Sequence, residues 1–89
     1  MKIKLELYGA SREFSDKGHL EFNLKVQSSI SDLRNEILVF IDKNFKGNVN
    51  FKKLVGSSKF CSEENNIITD NYKITKDQKI GIIPPIGGG

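Results

Sequence analysis

The run Lys79-Ile80-Gly81-Ile82-Ile83 is apolar on nearly every residue and stops at Pro84-Pro85. Side chains of a strand alternate between faces, so apolar residues on both parities predict a central strand covered on at least one face. Proline has no N–H, so sheet pairing cannot run through Pro84 and Pro85, and both favour an extended polyproline II course. Ile86-Gly87-Gly88-Gly89 follows. Glycine has no Cβ, so such a tail fits a channel too narrow for any other residue and carries a bare α-carboxylate at its tip. Three glycines alone read as a loose end or a cloning scar. With a dedicated strand and a stiff neck directly before them, they predict a device that presents the carboxylate to other enzymes. The expected division is a folded domain over 1–86 and a flexible tail over 87–89.

Upstream of that strand the pattern is simple. Lys2-Ile3-Lys4-Leu5-Glu6-Leu7-Tyr8 alternates polar and apolar, with Ile3, Leu5 and Leu7 toward the core. Ser15-Asp16-Lys17-Gly18 reads as a turn. Leu20, Phe22, Leu24 and Val26 form a second inward set, so the first two strands make a hairpin with a long connection. Ser29 and Asp32 have the spacing of a capping box, and Ile30, Leu33, Ile37, Phe40, Ile41 and Phe45 recur at steps of three and four as one helical stripe. Lys43, Lys46 and Gly47 suit the end of that helix. Phe51, Leu54 and Val55 form either a short helical turn or a small strand. Lys59–Ser62 is a short strand candidate, Glu63–Asn66 a turn, and Ile67-Ile68 a further short segment. The order of elements gives an α+β fold: a mixed sheet of four to five strands crossed by one main helix, with first and last strands side by side.

Eighty-nine residues suffice for one domain and one core. Fourteen basic and eleven acidic residues are spread along the chain, only Lys52-Lys53 being adjacent lysines, and Arg12 and Arg34 are the only arginines. That pattern does not point to nucleic acid. No apolar run reaches the ~20 residues of a membrane span, and the start is not a signal peptide. Cys61 is the single cysteine, so no intrachain disulfide forms, in keeping with a reducing, cytoplasmic setting. It reads as a buried small hydrophobe in a short strand. His19, the only histidine, reads as a surface residue beside a turn. Zinc needs more Cys or His than this. Glu63-Glu64 reads as solvated loop charge, and Gly56-Ser57-Ser58-Lys59 lacks the spacing and second glycine of a phosphate loop. No catalytic constellation and no metal set is expected.

Tyr8-Gly9-Ala10-Ser11-Arg12-Glu13 after the first strand, Ser29-Ile30-Ser31-Asp32-Leu33 at the helix start, and Lys79–Ile83 followed by Pro84-Pro85-Ile86-Gly87-Gly88 together carry a resemblance. The sequence resembles the small subunit of molybdopterin synthase, a sulfur-carrier family with the ubiquitin-like β-grasp fold, over most of its length. It departs from that family in ending on three glycines instead of two, in lacking Gly-Asp in the turn Lys76–Lys79, and in a longer, lysine-rich 47–59 segment. The extra glycine moves the terminal carboxylate out by roughly 3.3–3.6 Å.

The resemblance implies a terminal glycine, Gly89 or (if the last glycine is extra) Gly88, that is adenylated and converted to a thiocarboxylate. Gly87, Gly88 and Gly89 would enter a partner's active site, with Ile82, Ile83, Pro84, Pro85 and Ile86 as the partner-binding neck. The implied partners are the large subunit of molybdopterin synthase, a ubiquitin-activating-like adenylating enzyme and a sulfurtransferase. The chain itself would bind no cofactor, ATP being used by the activating partner, and the catalytic residues would lie on the partners. One of Ile82 and Ile83 is expected in the core by alternation. Alternatives are a related carrier for thiamine or tRNA thiolation, a ubiquitin-like protein modifier, and a passive interaction domain.

Overall fold

Ile3, Leu5 and Leu7 are buried while Lys2, Lys4 and Glu6 are not, as the alternation requires. The computed structural model describes residues 1–86. It contains strands β1 (Lys2–Leu7), β2 (His19–Asn23), β3 (Lys59–Cys61), β4 (Ile67–Ile68) and β5 (Gln78–Ile83), and helices α1 (Ile30–Asn44) and α2 (Val49–Ser57). A short 3₁₀ segment, Gly9–Phe14, lies within the β1–β2 connection. The strands form one five-stranded sheet in the order β2-β1-β5-β3-β4. β1 runs antiparallel to β2 and parallel to β5, which is antiparallel to β3. The apolar run is therefore the middle strand, and the first and last strands lie side by side.

The sheet has two unlike faces. Leu5, Ile80 and Leu20 stand in one register row and Leu7, Ile82, Phe60 and Ile68 in another, on the face that α1 covers. Ile30, Leu33, Ile37 and Ile41 of α1 are fully buried against this face. Burial of each contributes about 1.5–3 kcal/mol, which makes the helix–sheet contact the main source of stability. The capping box forms as read from the sequence. Ser29 Oγ accepts from the Asp32 N–H at 3.1 Å, and Asp32 Oδ2 accepts from the Ser29 N–H at 2.8 Å. Hydrogen bonding to its carboxylate from Ser29, the backbone N–H first and the hydroxyl second, holds the Asp32 carboxyl below the usual aspartate range.

Three expectations need correction. Val26 is exposed, not inward, because β2 ends at Asn23 and the chain turns through Gln27, whose φ is 75°. Leu20 and Phe22 are only half-buried, since β2 is an edge strand. The segment 49–57 is a full helix and not a single turn. Asn48 caps it, its Oδ1 accepting from the Phe51 N–H at 3.1 Å. Phe51 then packs on Phe14 and Phe45 at centroid separations of 5.1 and 5.0 Å, extending the core beyond the sheet.

Arg34 ties these parts together. Its Nη1 donates to the carbonyls of Val55 at 2.6 Å and Ser58 at 2.9 Å, at the C-terminal end of α2, where the Val55 carbonyl also accepts from the Ser58 N–H at 3.3 Å. Its Nε and Nη2 hold the Asp70 carboxylate at 3.2 and 2.7 Å, and its guanidinium stands 4.9 Å from the centre of the Phe60 ring.

Candidate functional site

The site is the end of β5 and the sheet face beside it. Because β1 and β5 are parallel, both strands finish at the same edge of the fold, and the turn after β1 sits next to the neck after β5. Pairing stops at Ile83, where the first proline intervenes. Pro84 is buried, Pro85 is exposed and Ile86 is 97% exposed. The chain thus passes from the interior to solvent within two residues. Gly87, Gly88 and Gly89, assigned to the tail from the sequence, lie outside the described residues.

Alternation divides the neck. Ile82 is wholly buried in the core row with Leu7 and Phe60, so it is the one of the two isoleucines that alternation places in the core. Ile83 faces the other side and is half-buried. Pro84 is buried, its ring beside the turn at Gly9, where an added Cβ would stand 3.8 Å from Pro84 Cδ. Pro85 and Ile86 are the neck residues that present themselves to solvent.

The open face of the sheet adds residues that sequence reasoning passed over. Glu6, Gly81, Cys61 and Ile67 form a register row across β1, β5, β3 and β4. Tyr8, one step beyond β1, is 49% exposed, and Ile67 is 56% exposed. The signal for Tyr8 was parity: it falls on the side opposite to Ile3, Leu5 and Leu7. A Cβ on Gly81 would lie 2.7 Å from Cys61 Sγ and 2.8 Å from Tyr8 Cε2. Glycine is therefore required here so that the Tyr8 ring and the Cys61 thiol close over the middle strand.

The cavity beside Tyr8, Cys61 and Gly81 measures about 90 Å³, well below the ~300–1,000 Å³ of typical ligand sites. A wider hollow lies between the end of β2 and the start of α1, lined by Asn23, Leu24, Asp32 and Glu36 among others, away from the neck. Among the described residues no cluster of three His, Cys, Asp or Glu side chains is placed to hold a metal. Also among them, no helix is long and apolar enough to cross a membrane. Cys61 is buried.

No family model matches the chain, and no curated protein matches it. Solved structures do resemble it. One is the putative molybdopterin converting factor, subunit 1, from Pyrococcus furiosus, at 16% identity and a TM-score of 0.69, covering 97% of this chain and 99% of that one. SAMP1 from Haloferax volcanii matches at 10% identity and a TM-score of 0.69, over 100% of both chains. A Caldiarchaeum subterraneum ubiquitin matches at 16% identity and a TM-score of 0.62, over 100% of this chain and 98% of that one. At these identities the likeness establishes the fold, which is the ubiquitin-like β-grasp.

Proposed function

We propose that this protein is a sulfur carrier whose terminal glycine, Gly89 or Gly88, is converted to a thiocarboxylate, and that it serves as the small subunit of a molybdopterin synthase. The observation that carries this reading is the neck. A central strand anchored on both sides ends at a buried Pro84, and the chain then emerges at Pro85 and Ile86 ahead of the glycines. A β-grasp fold shared with a protein described as a molybdopterin converting factor subunit supports it.

A carboxylate is a poor electrophile, so activation has to come first. In the proposed sequence the terminal carboxylate attacks the α-phosphorus of ATP on an adenylating enzyme and releases pyrophosphate. A persulfide sulfur supplied by a sulfurtransferase then attacks the acyl carbon and expels AMP. Reduction of the resulting acyl disulfide leaves the thiocarboxylate. The tail next enters the large synthase subunit, where the sulfur passes to a pterin precursor. The chain contributes no acid, base or bound cofactor. Ile83, Pro85 and Ile86 beside the tail are its contacts with these partners, Ile86 being the apolar anchor. The proposed compartment is the cytoplasm.

The reading is tested by deleting Gly88 and Gly89 and supplying the shortened chain to cells that lack the protein. Molybdenum-enzyme activity should be lost, and retention of full activity would leave a passive interaction domain as the better account. A second reading, a ubiquitin-like protein modifier, is favoured by the match to a ubiquitin along the whole of this chain. Isopeptide-linked conjugates on lysines of other proteins would support it, and sulfur supply to thiamine synthesis or to tRNA thiolation would instead mark a related carrier.

A further inference from the structure

We infer that the corner formed by Tyr8, Gly9 and Ser11 is a seat that fixes the direction in which the chain leaves the fold at Pro84, so that Gly9 and Ser11 act as positioning residues for the tail. The inference rests on the reading of that tail as the reactive segment. Gly9 has φ +56°, a left-handed conformation that L side chains rarely adopt. That turn stands beside the Pro84 ring, whose Cδ and Cγ lie 3.8 Å from where a Cβ on Gly9 would stand, so an alanine here is strained by its φ and not by the ring. Ser11 is completely buried, and both its N–H (3.2 Å) and its Oγ (2.6 Å) donate to the Tyr8 carbonyl. A buried serine spending both donors on one carbonyl makes the corner stiff. The Leu7 N–H, at the root of the corner, donates to the Gly18 carbonyl at 3.1 Å, which ties the corner to the start of β2.

Pro84 is the last buried residue before solvent, so it is the pivot of everything beyond. A proline has no N–H with which to anchor itself, and its position is set by what its ring rests on. Here that is the Gly9 corner. A pivot held in one orientation fixes where the described chain ends at Ile86, and the gain is the familiar one from orientation of a reacting group.

The test compares Ser11→Ala and Gly9→Ala with Ile74→Val, which trims a fully buried core residue beyond the other end of β5. Two readouts are taken on each folded variant: the ¹H–¹⁵N heteronuclear NOE of Ile86, and kcat/KM for ATP–pyrophosphate exchange with a ubiquitin-activating-like adenylating enzyme. The expected result is a lower NOE at Ile86 and a roughly threefold to tenfold lower kcat/KM in both corner variants, with neither change in Ile74→Val at comparable loss of Tm. An Ile86 NOE and a kcat/KM equal to wild type in folded Ser11→Ala and Gly9→Ala would overturn the seat. If the wild-type chain were not adenylated at all, the carrier reading would fall, and the Ile86 NOE would still decide the seat by itself.

Discussion

Replacing Arg34 by alanine should cost far more stability than replacing the partner of its visible ion pair. Two hydrogen bonds run from Nη1 to the carbonyls of Val55 and Ser58, both in buried residues, at 2.6 and 2.9 Å. Hydrogen bonds from a charged donor contribute about 1.5–3 kcal/mol each. Water reaching the truncated site through the exposed Gly56 and Ser57 recovers part of this, and loss of the stacked Phe60 contact adds about 0.5–1 kcal/mol. The net expectation for Arg34→Ala is about 3 kcal/mol. Asp70 is different, because its side chain is 55% exposed while that of Arg34 is 16% exposed. An ion pair with so open a partner contributes about 0–1 kcal/mol, so Asp70→Ala should cost less than about 1 kcal/mol. In a chain of this size about 3 kcal/mol lowers Tm by roughly 12–24 °C. Urea unfolding followed by circular dichroism measures both variants, and an unchanged m-value confirms that the same transition is compared. Equal losses for the two variants, or a loss under about 1 kcal/mol for Arg34→Ala, would refute the assignment of the work to the two carbonyls.

Ser29→Ala should cost about 1 kcal/mol in the same assay, because it removes the N-cap oxygen from the Asp32 N–H. The Asp32 carboxyl is held below its ordinary value of 3.8 by the Ser29 bonds, so its contribution is present above that pH and is lost as pH falls through the lowered folded-state value; unfolding of wild type and Asp32→Asn should therefore converge in strong acid. Gly81→Ala places a Cβ 2.7 Å from Cys61 Sγ and 2.8 Å from Tyr8 Cε2. It should destabilise by about 1–3 kcal/mol, and Cys61→Ala in the same chain should return part of that loss, which a double-mutant cycle reads directly. On the proposed carrier reading, Gly88→Trp should leave the unfolding curve unchanged and abolish adenylation, since the added bulk would not enter a channel that admits only glycine.

The strands and the main helix were legible because single-parity alternation and a three–four stripe leave little choice. Ile3, Leu5 and Leu7, and Ile30 through Ile41, fall where the pattern puts them. The centrality of β5 was legible for the same reason, its apolar residues lying on both parities. Helix α2 was not, because Val49–Ser57 spans little more than two turns, includes Gly56 and buries fully only Val55. Its stability comes from Phe14, Phe45 and Arg34, which are distant in sequence. Arg34 itself looked like one more polar residue off the helical stripe, since nothing local reports the carbonyls of Val55 and Ser58 waiting for it. In the neck, Pro84-Pro85 read as a stiff spacer, and only the parallel pairing of β1 with β5 shows that Pro84 belongs to the packed fold while Pro85 does not. The parity of Tyr8, opposite to Ile3, Leu5 and Leu7, already sets it on the open face, but only the pairing of β5 with β1 and β3 shows that it meets Cys61 over Gly81.

The most direct test of the account is the intact mass of the protein before and after incubation with ATP, a ubiquitin-activating-like adenylating enzyme, a sulfurtransferase with a persulfide source, and a reductant. Exchange of one oxygen for one sulfur at the displaced acyl adenylate adds about 16 Da, and fragmentation of the C-terminal peptide should place that gain on the last glycine, identifying it as Gly89 or Gly88. An unchanged mass with several adenylating enzymes that charge other β-grasp carriers would contradict the central claim and leave a binding domain whose tail is idle.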